Sequence, residues 1–156
     1  PYSLLFLCTG NSARSILAEF ITRRDFSKRF DAVSAGADPK GHPHPMALSV
    51  LKDDFAIDPS EARSKSWDEF KDRHFDFVIT LCDNAKETCP VWPGQPVVAH
   101  WGMKDPSDAP EAEQRREFSK TAQLIRLRME LLANLPIEKL DRLKLETETK
   151  AIGKRE

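Results

Sequence analysis

The stretch that decides the fold is LLFLCTGNSARS, residues 4–15 of a 156-residue chain. Four consecutive apolar residues predict a strand, and residues 16–21, ILAEFI, carry apolar side chains at the spacing of one helix face. The loop between them follows a Cys-x5-Arg-Ser pattern, which begins at Cys8 and ends at Arg14 and Ser15. A strand, a short loop and a helix in this order predict an α/β fold.

Outward from this stretch, strands and helices alternate. The predicted strands are residues 3–7, 31–35, 76–81 and 97–99, and the predicted helices are residues 13–24, a segment that begins at Pro45, and residues 110–134. We therefore expect a single α/β domain with a four-stranded parallel sheet flanked by helices. This domain covers residues 1–135, and residues 136–156 are expected to form a C-terminal extension, a short amphipathic helix with a frayed tail.

The composition narrows the classes of function. The net charge is −1, which gives no electrostatic reason to expect nucleic acid or an anionic membrane as a partner. No stretch approaches the roughly 20 apolar residues of a transmembrane helix, and the apolar run at residues 4–7 lacks the length and basic flank of a secretory signal. Three cysteines are an odd number and too few for a secreted disulfide framework. We expect a cytoplasmic protein with reduced thiols.

The loop combines a thiol with features that bind anions. A cysteine just before a helix N-terminus and beside a cation has a lowered thiol pKa, and its thiolate is a nucleophile. Backbone N–H groups can curl around an oxyanion, and an arginine can hold two of its oxygens. The predicted oxyanion-binding residues are Thr9, Gly10, Asn11, Ser12, Ala13 and Arg14. Ser15 can donate a hydrogen bond to the sulfur of Cys8. The alternative to a nucleophilic Cys8 is a buried cysteine at the end of a strand that packs as a small hydrophobe.

Four stretches resemble the low-molecular-weight tyrosine phosphatase superfamily. They are residues 8–15, the VSAG strand end at 33–36, residues 81–90 and residues 100–106. Within that superfamily, the chain is most similar to the arsenate reductases. The resemblance implies that Cys8 is the nucleophile and that Arg14 holds the oxyanion.

Asp105 is the predicted general acid. It lies in a loop after the last predicted strand, at the edge of the sheet where α/β folds bind ligands, and Pro106 restricts its backbone to extended geometry. An ordinary Asp-Pro turn is the alternative, but the resemblance assigns the acid role to Asp105. Asp108 is a weaker candidate.

Cys82 and Cys89 lie seven residues apart in the third of the matching stretches. The resemblance implies a relay in which Cys8 attacks arsenic, Cys82 attacks the sulfur of the adduct, and Cys89 attacks Cys82 to leave a Cys82–Cys89 disulfide. An external dithiol, thioredoxin or glutaredoxin, then reduces this disulfide, and no tightly bound cofactor is expected. In a helix, seven residues separate two Cα atoms by about 10 Å, more than the roughly 4.4–6.8 Å of a disulfide, so a helix there would have to unwind. A zinc pair and idle core thiols are the alternatives.

Members of the family can carry an alkali-cation site beside the loop. Asn11, Glu19 and Ser34 match residues that line it, and Lys65 stands where an acidic ligand would be expected. The Lys65 ammonium can take the place of the cation and support the loop through Glu19. The alternative is a solvated surface lysine.

Arsenate reduction by this relay is the preferred hypothesis, and two other functions stay open. A tyrosine-phosphatase activity would need Cys8, Arg14 and Asp105 alone, although the single tyrosine, at position 2, leaves none near Asp105 to flank a phosphotyrosine ring. A non-enzymatic oxyanion- or arsenite-binding protein would use the three thiols as ligands for trivalent arsenic.

Overall fold

The computed structural model describes residues 1–83, 87–88 and 90–155. One sheet in the order β2-β1-β3-β4 contains the strands β1 (Tyr2–Cys8), β2 (Phe30–Gly36), β3 (Phe77–Thr80) and β4 (Val97–His100). Every neighbouring pair is parallel. The predicted four-stranded parallel sheet is confirmed, and each strand end lies within one residue of its expected position.

Four α-helices accompany the sheet: α1 (Arg14–Asp25), α2 (Pro45–Phe55), α3 (Glu111–Ala133) and α4 (Arg142–Ile152). Pro45 opens α2, where its missing N–H costs no hydrogen bond. The stripe that α3 buries consists of Phe118, Ala122, Ile125, Arg128, Met129 and Leu132. In the part of the chain that the structure describes, no helix is both long and apolar enough to cross a membrane.

The strand β1 is buried on both faces of the sheet. Its side chains alternate, so Leu4 and Phe6 join the larger cluster packed by the helices, whereas Leu5 and Leu7 join a second cluster. The second cluster is covered by aromatic side chains, namely Trp67, Phe70, Phe75 and Trp92. Packing on both sides fixes the end of β1, where Cys8 lies.

The strand order places a crevice at the carboxyl end of β1. The chain runs from β1 to β2 on one side and then crosses to β3 on the other side of β1. Loops that leave neighbouring strands in opposite directions open a crevice between them, and α/β folds bind ligands there. The Cys8 loop begins at this point.

The C-terminal extension packs against the sheet. Leu145 and Ile152 of α4 belong to the main core, and the indole N–H of Trp101 donates to the carbonyl of Thr149 at 2.9 Å. The structure differs from the expected frayed tail, because the guanidinium of Arg128 still donates to the carbonyl of Arg155 at 3.1 Å.

Candidate active site

The loop of residues 8–14, here named the oxyanion cradle, joins β1 to α1. Asn11 has a φ of 44°, in the left-handed region that asparagine tolerates better than most residues, and its N–H donates to Cys8 Sγ at 3.3 Å. The N-cap of α1 is Ala13, which has no polar side chain to cap the helix. The first N–H groups of α1 are therefore left to bind an anion.

The side chain of Asn11 braces the cradle from within. Its Nδ2 donates to Ser15 Oγ at 2.7 Å and to Ser34 Oγ at 2.9 Å, and its Oδ1 accepts from the backbone N–H of Lys65 at 2.9 Å. Asn11 is fully buried. These three bonds tie the cradle to α1, to β2 and to the segment that follows α2.

Cys8 lies at the base of the cradle, with Ser15 Oγ 2.9 Å from its sulfur. Burial, the largest effect, raises the pKa of the thiol, and Ser15, Arg14 and the Asn11 N–H oppose this rise without reversing it. The predicted lowering of this pKa is therefore wrong for this structure. Cys8 is only 2% exposed, and Arg14 directs its terminal nitrogens to carboxylates instead of to sulfur.

Arg14 is buried and binds Glu87 with both terminal nitrogens. Nη1 donates to Glu87 Oε2 at 2.7 Å and Nη2 donates to Glu87 Oε1 at 2.8 Å. Nη1 also approaches the carbonyls of Leu81, at 3.4 Å, and Met103, at 3.1 Å. Burial lowers the pKa of Arg14, but Glu87 and Asp105 raise that pKa by more. Arg14 in turn lowers the pKa of Glu87. Both groups are charged at neutral pH.

Asp105 also faces Arg14, 3.6 Å from Nη2. Its Oδ1 accepts from the N–H of Ser107 at 2.9 Å and from the hydroxyl at 2.7 Å. Burial raises the pKa of Asp105, but the Ser107 bonds, Arg14 and Lys40 together outweigh it, so the pKa lies below its ordinary range. Asp108 lines a neighbouring cavity of about 310 Å³, which Asp105 also lines.

Cys82 is fully buried just after β3, adjacent to Leu81, whose carbonyl faces Arg14. Cys89, the predicted third thiol, lies outside the described residues. In the described part of residues 82–92, no residue is helical. The structure thus brings the second thiol to the edge of the sheet where the cradle lies.

Lys65 is buried beside the cradle, with 5% of its side chain exposed. Its Nζ donates to Glu19 Oε1 at 2.9 Å, to Ser34 Oγ at 3.3 Å and to the carbonyl of Arg63 at 3.3 Å. The ammonium therefore lies beside oxygens of Glu19 and Ser34, two of the residues that match the family's cation site. The alternative of a solvated surface lysine is wrong.

Three residues that the sequence analysis did not identify face the cradle. A cavity of about 180 Å³ is lined by residues 8–14 together with Asp38, Lys40, Glu87 and Asp105. The aliphatic part of Lys40 packs over Gly10, where a Cβ would meet it at 3.2 Å. Asp38, Lys40 and Glu87 do not belong to a recognisable sequence motif, so the local sequence gave no signal for them beyond their charge.

The chain is similar to several proteins named arsenate reductase. An arsenate reductase of Halalkalibacterium halodurans is 35% identical over 113 residues, which cover 72% of this chain and 80% of that protein. Arsenate reductase 2 of Staphylococcus saprophyticus is 36% identical over 124 residues, which cover 80% of this chain and 93% of that protein. A solved structure of an arsenate reductase in the phosphate binding state has a TM-score of 0.71 at 25% identity, and covers 85% of this chain and 97% of that chain.

The resemblance inferred from the four sequence stretches is confirmed by a family match. The model for low molecular weight phosphotyrosine protein phosphatase matches residues 3–146, which include the cradle, Cys82 and Asp105. The chain therefore belongs to the low-molecular-weight phosphotyrosine protein phosphatase family.

Proposed function

We propose that the protein is an arsenate reductase that works through three cysteines. One observation carries the proposal: Cys82, a second buried cysteine, directly follows Leu81, whose carbonyl lies 3.4 Å from Nη1 of the cradle arginine. A hydrolase of phosphate esters has no need of a second thiol there, whereas a reductase needs one to carry electrons away. The relatives named arsenate reductase, at about 35% identity, support the same activity.

The first step forms a bond between sulfur and arsenic. The cradle N–H groups and Arg14 hold the arsenate, and the Cys8 thiolate attacks arsenic while one arsenate oxygen leaves as water. Asp105 supplies the proton for that oxygen. Its pKa is low beside Arg14, but a bound anion adds negative charge next to it and favours the protonated form.

The second and third steps move electrons. The Cys82 thiolate attacks the sulfur of Cys8, a sulfur–sulfur bond forms, and the electron pair of the sulfur–arsenic bond passes to arsenic, which leaves as arsenite. Cys89 then attacks the sulfur of Cys82 and displaces the Cys8 thiolate. Two thiols of the chain are oxidised to one Cys82–Cys89 disulfide, and arsenate is reduced by two electrons.

An external dithiol completes the cycle. Thioredoxin or glutaredoxin would reduce the disulfide by thiol exchange, so the chain needs no tightly bound cofactor. A cytoplasmic location belongs to this proposal, because that compartment keeps thiols reduced.

Replacement of Cys82 by serine tests the relay. We expect Cys82→Ser to abolish multiple-turnover reduction, followed as arsenate-dependent NADPH oxidation coupled in turn to a thioredoxin and a glutaredoxin system. Hydrolysis of p-nitrophenyl phosphate, which uses Cys8, should survive the change and serves as the control for folding. Sustained arsenate reduction by Cys82→Ser would show that the relay is wrong.

A phosphatase is the second candidate, favoured by the family match and by the approach of Cys8, Arg14 and Asp105. The single tyrosine cannot flank a phosphotyrosine ring at the site, because Tyr2 begins β1 at the end opposite Cys8. Phosphate-ester hydrolysis without any NADPH oxidation in either coupled assay would favour this candidate. Tight arsenite binding without turnover would instead favour a binding protein.

A further inference from the structure

Glu87 occupies both terminal nitrogens of Arg14, the residue that would bind an oxyanion. Its two carboxylate oxygens accept from Nη1 and Nη2 at 2.7 Å and 2.8 Å. A carboxylate and a tetrahedral oxyanion both bind the planar array of N–H groups of a guanidinium, so Glu87 and an oxyanion compete for one side chain. The side chain of Glu87 is 22% exposed, which leaves it a path toward solvent.

Two orphaned polar atoms mark where the oxyanion belongs. Arg14 Nε and Thr9 Oγ1 are buried and have no hydrogen-bond partner among the described residues. Buried polar atoms are nearly always bonded. Both residues line the cradle cavity, together with Glu87. An oxyanion that satisfies these two atoms lies in the cavity that Glu87 also lines.

The charges around the cavity make that contact unfavourable. Its lining has two cations, Arg14 and Lys40, and three carboxylates, Asp38, Glu87 and Asp105. An anion with one or two negative charges therefore enters a site in which carboxylates outnumber cations. Like charges in contact at a partly buried site are costly. Glu87 is the carboxylate with both oxygens on Arg14, so its departure relieves the repulsion and releases the donors together.

We propose that Glu87 competes with the oxyanion for Arg14 and thereby sets the affinity of the site. The oxyanion binds Arg14 through Nε and a terminal nitrogen, and its negative charge displaces the Glu87 carboxylate, which turns to solvent. Glu87 Oε2 also accepts from the N–H of Asp83 at 2.8 Å, so its displacement releases the backbone next to Cys82. This last consequence rests on the proposed function, whereas the competition at Arg14 does not.

Inorganic phosphate is the probe for the test. The rate at which iodoacetamide alkylates Cys8, followed by mass spectrometry of the Cys8 peptide, gives the Kd of phosphate from its protective effect. We expect Glu87→Gln and Glu87→Ala to bind phosphate about tenfold more tightly than the unaltered chain, because a like charge is removed. The matched control is Glu113→Gln, whose carboxylate pairs with Arg116 and lines the neighbouring cavity. Its Kd should not change.

The opposite role for Glu87 would be to brace Arg14 in its binding geometry. In that case both variants would bind phosphate more weakly, and this result, or a Kd within threefold of the original, overturns the proposal. The unaltered chain gives a second measurement, since phosphate must shift the carboxyl ¹³C resonance of Glu87 as the carboxylate leaves Arg14. An unmoved resonance at saturating phosphate also overturns it. Absence of NADPH oxidation with arsenate would refute the proposed function alone.

Discussion

Replacement of Lys65 by methionine removes the ammonium group that the buried Glu19 binds. Methionine keeps most of the length and apolar volume of the lysine side chain, so the change leaves little cavity. The Nζ atom donates to Glu19, Ser34 and the carbonyl of Arg63 within 3.3 Å. Lys65→Met therefore tests the charge and its hydrogen bonds, with little effect on packing.

The size of the expected loss in stability depends on the partners that Glu19 retains. The Glu19 side chain is 3% exposed, and loss of one partner of a buried ion pair costs about 3–5 kcal/mol. Glu19 still pairs with Arg23 at 2.9 Å, and it still accepts from the hydroxyl of Ser34. We therefore expect the lower end, a loss of about 3 kcal/mol in the free energy of unfolding. This corresponds to a fall of about 10 °C in Tm.

Urea unfolding and calorimetry measure the loss. The control is Lys71→Met, because Lys71 is 64% exposed and lies 3.7 Å from Asp68, a surface pair worth about 0.5 kcal/mol or less. The double variant Lys65→Met with Glu19→Gln should recover at least about 1 kcal/mol relative to the sum of the single changes, because no unpaired charge stays buried.

Two results would refute this reasoning. A loss below about 1 kcal/mol for Lys65→Met would show that the ion pair contributes little. A strictly additive double variant would show that the cost arises elsewhere. Potassium-stimulated turnover of the unaltered chain would contradict the idea that Lys65 takes the place of the cation.

Three further variants test the cradle. Ser15→Ala removes the hydroxyl 2.9 Å from Cys8 Sγ, so it should raise the pKa of Cys8 further and move the pH profile of iodoacetamide alkylation to higher pH; a move to lower pH would contradict this. Gly36→Ala places a Cβ 2.5 Å from the carbonyl of Thr9, and should cost about 1–3 kcal/mol in thermal unfolding and weaken protection of Cys8 by phosphate. Unchanged protection would show that the cradle absorbs the methyl group. Asp105→Asn should slow arsenate reduction about 100-fold or more in single-turnover assays while phosphate still protects Cys8; an unchanged rate would remove Asp105 as the acid.

Local patterns predicted the scaffold of the site. The run of residues 4–15 places a strand, a loop and a helix next to one another in sequence, and the structure places Cys8 and Arg14 at the two ends of that loop. These positions depend on periodicity and on a few neighbouring residues, so they can be inferred from one sequence. The contact of Ser15 with the sulfur was predicted for the same reason, since Ser15 directly follows Arg14 in the motif.

Contacts between residues far apart in the sequence could not be predicted in this way. Glu87 meets Arg14 across 73 residues, and Thr149 meets Trp101 across 48. A charged segment such as residues 141–155 resembles an exposed tail when it is considered alone, because its few apolar residues gain a partner only when β4 is in place. The partner of a side chain is a property of the folded chain and not of its neighbours in sequence.

The sequence by itself determined the family and the succession of strands and helices along the chain, and it predicted the roles of Cys8, Arg14 and Asp105. The tertiary structure alone decided the charge state around them. It buried Cys8, which raises the thiol pKa, and it brought Glu87 to Arg14 and Lys65 to Glu19. Residue type states which charge a side chain can carry, whereas burial and the nearest opposite charge decide whether that charge is stable and which group it binds.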